Sequence, residues 1–274
     1  MPPWASLPNL PLAVPAVIAG TALGLLLGER MRPLRPPTQS KPRRLAIALG
    51  FALTAGAIMA LTYAPVVSAA ADFATSRDVG LLRWARVPRA LRPGLAFILL
   101  DYSLWGWHWL NHRVPLLWRF HAAHHADLDM DVLTAWRFHF GEMLASVPFR
   151  AAQVVLIGVE LRPLLLWEAT ILVCAQFHHA NVRLPASFER VLRHVAITPR
   201  LHGSHHSIEP REVSSNFGTI LSVWDRLHGL HRWTVGPTPT IGLPQIRDPR
   251  ALTLVRALML PFSRTSLPVP RAPS

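Results

Sequence analysis

The chain is short of charge, of cysteine and of acid. Charged residues fill only 16% of its 274 positions, and 51% are apolar. A typical soluble domain carries about 25% charged residues, so the deficit points away from an ordinary water-soluble protein and toward a membrane. The single cysteine, Cys174, excludes an intramolecular disulfide and a cysteine-ligated iron–sulfur cluster. Set in an apolar run, it reads as inert packing. Acidic residues number 15 against 28 basic ones, a formal net charge of +13. The basic residues are scattered beside apolar segments and form no recognisable nucleic-acid module. The excess therefore speaks for anionic headgroups and membrane topology, with no nucleic-acid partner.

What is present is a succession of apolar runs. Leu12–Gly28 is uncharged and lacks a basic flank on its N-terminal side, so it reads as a retained anchor rather than a cleaved signal. Leu45–Ala64 is a second span. The loop between them carries Arg30, Arg32, Arg35, Lys41, Arg43 and Arg44 against the single Glu29, which places it in the cytoplasm. Asp72–Arg92 would then be external, and with Arg77, Arg83, Arg86, Arg89 and Arg92 it is expected to lie at the interface. Pro93–Trp109 forms a third span. Residues 141–160 and 163–177 form two arms of a hairpin, interrupted by Arg150 and Glu168. The fold class that follows is an all-α integral membrane helical bundle with a cytoplasmic histidine-rich cap over two metals. Residues 1–92 form the anchor helices and basic loop, 93–235 the histidine-bearing part, and 236–274 a Pro-rich strap and disordered tail.

Histidine is what this chain has in excess, with 14 in all. His108 and His112 stand at i, i+4. His121, His124 and His125 stand at i, i+3, i+4, and His202, His205 and His206 repeat that pattern. On a helix these spacings put the imidazoles along one face, where they can grip a metal. An all-imidazole site suits Zn, Fe, Cu or Ni, so the residues alone leave the metal open. Asp101 lies seven residues before His108 on the same helical face, placed to accept the N–H of a ligand imidazole. The hairpin between the clusters returns the chain to the side it left, so all of them can meet.

The run D-x-x-x-W-x-x-H-x-x-x-H-R at Asp101–Arg113, followed by L-W-R-F-H-A-A-H-H ending at His125, resembles the fatty acid hydroxylase and sterol desaturase superfamily. Matching motifs follow in order: R-F-H-x-x-E at Arg137–Glu142, H-A-N-x-x-L-P at His179–Pro185, H-x-x-H-H-S at His202–Ser207, and N-F-G-x-x-x-S-x-W-D-R-L-H-G at Asn216–Gly229. The resemblance covers residues from about 94 to 233. It implies two metal ions, taken as iron, held by His108, His112, His121, His124, His125, His179, His202, His205 and His206. His139 is a further candidate, although Phe140 stands where the family usually has proline. His178 would line the pocket, and Glu142, Asn216 and Asp225 would support the ligands or the structure. Trp224 is read as packing or an interface anchor, and His194, His228 and His231 stay outside the site.

The implied activity is a membrane-bound diiron oxidoreductase that uses O2 and external electrons to hydroxylate or desaturate a C–H bond of a lipid. The chain has no flavin fingerprint, so electrons would come from a separate ferredoxin or cytochrome. Zinc could replace iron in purified protein. The alternative is a non-catalytic membrane metal- or haem-binding protein or transporter, which would need polar groups within the spans, whereas these histidines sit mainly at their ends.

Overall fold

Five long helices set the architecture, and the level at which they end decides where the histidines gather. The computed structural model describes residues 10–233, 238–265 and 267–270; the tail expected to be disordered ends outside the described residues. Among the described residues the elements are helical, and the only extended pairings are isolated bridges such as Pro33 with Val182.

Helix α1 (Leu10–Met31) stops just ahead of Pro33, because the residue before a proline is driven out of the helical region. Helix α2 (Lys41–Ile58) has Pro42 in its first turn, where no N–H is needed. It continues through a π turn, Met59–Tyr63, into α3 (Ala64–Ser76). Pro65 accounts for the π turn: its ring crowds the carbonyl four residues back, and a widened turn relieves the clash. The expected end at Ala64 is therefore too early, and the continuous rod is about 54 Å long.

Residues 72–92, expected to lie along the interface, instead finish α3 and turn across the far end of the bundle through the short α4 (Leu81–Trp84). There Arg83 is buried beside Asp78 (3.6 Å) and Glu160 (3.9 Å). Gly80 (φ +110°) and Gly158 (φ +84°) meet backbone to backbone at this end. A Cβ on Gly80 would stand 2.4 Å from the Gly158 Cα, so neither position accepts a side chain.

Helix α5 (Arg92–Asn111) descends to the histidines and α6 (Pro115–His125) turns across them. Helices α7 (Phe140–Ile157) and α8 (Leu161–His179) form the outgoing and returning arms of a hairpin. Three helical stretches are long and apolar enough to cross a membrane: Val14–Met31, Lys41–Trp84, and Phe140–Ile157. The expected span Pro93–Trp109 and arm 163–177 are long helices too, but they are less apolar and fall outside that set. The charges in the hairpin are answered inside the bundle. Tyr63 donates to Glu168 (2.6 Å), and Arg150 lies 4.4 Å over the Trp167 ring while donating to Gln153.

All five long helices present one end to the same layer. Glu29, near the end of α1, accepts the N–H groups of Val132 and Asn181, both at 2.8 Å. Arg44 opens α2, His108 and His112 close α5, Glu142 opens α7, and His179 closes α8. The cap over these ends is built from α6, the 126–139 loop, α9 (Ala186–Leu192), α10 (Pro199–His205), α11 (Pro210–Val213), α12 (Val223–Leu227) and α13 (Leu254–Met259). One apolar core, around Leu100, Val154, Leu164 and Trp167, holds the bundle. A second, around Phe51, Trp118, Leu243 and Leu260, ties the C-terminal segment to α2 and α6.

A charge clamp joins cap to bundle. Buried Asp127 accepts from Arg44 (2.8 Å), Arg137 (2.8 Å) and the Thr134 hydroxyl (2.9 Å), and Arg44 also reaches Asp131. Asp129 accepts the backbone N–H groups of Thr38 and Gln39, which holds the basic loop down. Burial by itself would raise the Asp127 pKa, but Arg137 and Arg44 outweigh it and hold the carboxyl well below its ordinary value. Its stabilisation is thus complete above about pH 4 and is lost as pH falls further. Asp127→Ala, which leaves two buried guanidinium groups short of a partner, should cost about 3–5 kcal/mol. A thermal melt of the purified variant in detergent tests this, and an unchanged midpoint would count against the clamp.

Candidate metal centre

Two of the helices that carry a histidine box, α6 and α10, serve two groups at once. The first group is His108 and His112 from α5, His121 and His125 from α6, and His205 from α10; the second is His124 from α6, His179 from α8, and His202 and His206 from the α10 end. Within each group the candidate ligand atoms lie within 4.8 Å of one another. On α6 the i, i+4 pair goes to the first group and the i+3 residue to the second, and α10 does the reverse. The groups are adjacent, with the His125 and His206 rings stacked at 4.2 Å.

Hydrogen bonds outside the groups fix which nitrogen faces in. His108 Nδ1–H donates to the Phe217 carbonyl (2.8 Å), His205 Nδ1–H to the Ser215 carbonyl (2.8 Å), and His179 Nδ1–H to the Ala175 carbonyl (2.7 Å). His121 Nδ1–H donates to Glu142 Oε1 (3.0 Å). A carbonyl only accepts, so in these rings Nε2 carries a bare lone pair. In the first group these Nε2 atoms face one another, His108 to His205 at 3.0 Å and to His121 at 3.2 Å; in the second, His179 Nε2 faces the Nε2 atoms of His202 at 3.0 Å and His124 at 3.1 Å, rings whose Nδ1 has no hydrogen-bond partner.

Two lone pairs at that distance repel, whereas a cation between them is bound by both. With metal–imidazole bonds of ~2.1 Å, ligands at right angles stand ~3.0 Å apart, so the donor set fits a metal in each group. His112 and His125 are buried with neither ring nitrogen hydrogen-bonded, each such nitrogen costing roughly 1–3 kcal/mol unless it finds a partner such as a metal. Burial, helped by neighbouring imidazoles, holds His124, His125, His202, His205 and His206 well below their ordinary pKa. They are neutral at neutral pH, the form that binds metal.

His139 is not brought to either group. It is the N-cap of α7: its Nδ1 accepts the Gly141 N–H (3.0 Å), and its Nε2–H donates to the Leu258 carbonyl (2.9 Å). Both nitrogens are used structurally. Asp101 likewise does not hold a ligand imidazole. Its Oδ2 accepts from the Trp224 indole (2.8 Å) and the Leu221 N–H (3.3 Å), while the Phe217 carbonyl takes the His108 proton. Trp224 is therefore a hydrogen-bond partner as well as packing. His178 donates to the Thr219 carbonyl (3.2 Å) and lies 4.0 Å from the His202 ring, outside both groups. His194 and His231 also stand apart, and His228 stacks on Trp105 at 4.1 Å. Cys174 is half-buried and packed against the bundle core.

Asn216 touches no ring but shapes the loop that does. With φ at +55° it turns the chain so that the flanking Ser215 and Phe217 carbonyls meet His205 and His108, a conformation asparagine tolerates better than most residues. Its side chain bonds Leu201, Ser204 and Arg232. Asp225 completes the turn by accepting the Phe217 and Gly218 N–H groups (2.8 and 2.9 Å) and the Trp105 indole (2.9 Å). The supporting carbonyls have no sequence signature of their own. The nearest signal was the N-F-G segment that positions them.

A helical bundle with spanning helices and a two-part imidazole site at one end defines the class. The family model for fatty acid hydroxylases matches residues 94–230, and the chain belongs to that family. It is similar to an ornithine lipid hydroxylase, OlsE, of Rhizobium tropici, 32% identical over 179 residues, which are 65% of this chain and 52% of that protein. It is also similar to the cholesterol 25-hydroxylase of Rattus norvegicus (25% over 169 residues, 56% and 55% of the two chains) and an alkylglycerol monooxygenase of Xenopus tropicalis (27% over 140 residues, 49% and 29%). The chain spans about half the length, or less, of the curated relatives it matches. No solved structure matches at a significant level.

The geometry predicts different losses for different histidines. Iron-loaded wild type should hold two ions per chain by elemental analysis, and His139→Gln should keep both. His205→Ala should lose at least one. Equal loss in the two variants would contradict the assignment.

Proposed function

We propose that this chain is a membrane-bound lipid hydroxylase in which His108, His112, His121, His125 and His205 hold one iron ion and His124, His179, His202 and His206 the other. The observation that carries this is the convergence of nine imidazoles from four helices in two groups, with inward ring nitrogens facing one another at 3.0–3.2 Å. The pair of irons, when bound, supplies O2 activation and C–H oxidation.

The chain's own residues hold that chemistry in place. Glu142 keeps the proton of His121 at Nδ1, and the carbonyls of Phe217, Ser215 and Ala175 do the same for His108, His205 and His179. Burial of the imidazoles excludes bulk water from the reacting volume. Overall, one oxygen atom enters a substrate C–H bond as hydroxyl, and the other leaves as water after two electrons and two protons are supplied. A separate ferredoxin or cytochrome supplies those electrons. Hydroxylation is favoured over desaturation because the relatives are named hydroxylases and monooxygenases. A non-catalytic binder is not favoured, since the family and its named relatives are oxidative enzymes.

The basic loop at the histidine end supports a cytoplasmic site by the positive-inside rule. In this reading residues 93–235 form the catalytic part, anchored by 1–92 and strapped by 236–274. Lipid mass spectrometry of cells grown under 18O2 with and without the gene tests the proposal. One lipid class should gain a single labelled oxygen with wild type and none with His205→Ala. A loss of two hydrogens would indicate desaturation instead, and identical lipid profiles would overturn the oxidative reading.

A further inference from the structure

One buried cation is not used by the metal centre. Arg35 lies in the basic loop between α1 and α2, outside the family-matched residues, and its side chain is 8% exposed. Its Nε and Nη1 are buried without a hydrogen-bond partner, and Nη2 reaches only the Met130 sulfur at 4.0 Å. The guanidinium lies against α10 at Gly203, where a Cβ would come within 2.5 Å of Nη2. The glycine in the H-G-S-H-H box thus leaves the space that the Arg35 guanidinium occupies.

Arg35 lines a cavity of about 600 Å³ between the end of α1, the start of α2 and the cap. Arg30 and Lys41 stand exposed on its rim, and Arg247 lines the far wall while donating to the Ile241 carbonyl (2.6 Å). The carboxylates in the same wall are already engaged: Glu29 by Val132 and Asn181, Asp129 by Thr38 and Gln39, and Asp131 by Arg44. Burial, followed by the nearby Arg200, lowers the Arg35 pKa to about 10, which leaves it a cation at neutral pH. Asp129 and Glu189 offset this in part but do not hydrogen-bond it.

The cavity sits where two spanning segments, Val14–Met31 and Lys41–Trp84, end and begin. That is the level of lipid headgroups, where phosphates lie within reach of basic loops. A planar guanidinium with unpaired donors is matched to a phosphate oxyanion. We propose that this cavity is a phosphate-binding site, with Arg35 at its floor and Arg30 and Lys41 at its rim. The phosphate comes either from a lipid headgroup or from free phosphate in solution.

The test uses the full chain in nanodiscs and reads retained ligand and melting midpoint. One arm contains zwitterionic lipid with one-fifth phosphatidylglycerol; the other contains zwitterionic lipid alone, titrated with inorganic phosphate. Wild type should retain phosphatidylglycerol or be stabilised by phosphate, the responding arm identifying the source. Arg35→Gln should weaken binding at least about tenfold. Lys41→Gln, an exposed change that leaves the buried clamp intact, should weaken it about fivefold. Arg77→Gln, at the opposite end of the bundle, should leave it unchanged. Response in neither arm overturns the proposal. Equal weakening by Arg77→Gln and Lys41→Gln would also overturn it, by reducing the effect to general charge.

Discussion

Nine imidazoles can share a buried volume only if something reconciles their ring nitrogens, and much of this fold answers that constraint. Outer carbonyls and Glu142 fix the protons of His108, His121, His179 and His205 away from the centre. The inward nitrogens are then obliged to bind a cation or repel. Such an arrangement is expensive without a cation, so a metal bound there would be coupled to folding of the cap. The equal level of the five helix ends follows from the same need, because imidazoles on α5, α6, α8 and α10 have to arrive at one layer.

Charge at the edge of the site does mechanical work that packing alone would not. The Asp127 clamp ties α2 to the 126–139 loop, and Asp129 pulls the basic loop onto the cap. The segment between the first two spans is therefore part of the cap rather than a tether. A lipid-facing bundle gains little from the hydrophobic effect between its helices, so directional contacts of this kind carry more of the specificity. Dense buried polar contacts also favour a rigid ligand cage over a mobile one.

The histidine spacings were legible because helical periodicity places i, i+3 and i+4 side chains together whatever surrounds the helix. That one helix would divide its box between two histidine groups was not legible, since it depends on the directions from which α5, α8 and α10 approach. His139 was a candidate ligand through the resemblance carried by the R-F-H-x-x-E motif. The turn that opens α7 claims its Nδ1, and the distant Leu258 carbonyl takes its Nε2. Asp101 shares a face with His108, but its partner Trp224 arrives from 123 residues further along the chain. Backbone carbonyls leave no residue-type signal at all. The apolar runs revealed the first two spans and the outgoing arm of the hairpin, whereas the π turn ahead of Pro65, which lets the second helix continue, required the three-dimensional packing.

The most direct test of the central claim is a cryo-EM map of the iron-loaded chain in a lipid nanodisc. Two ion densities, one among His108, His112, His121, His125 and His205 and one among His124, His179, His202 and His206, are the predicted result. A single density, or one bound by His139, would contradict it.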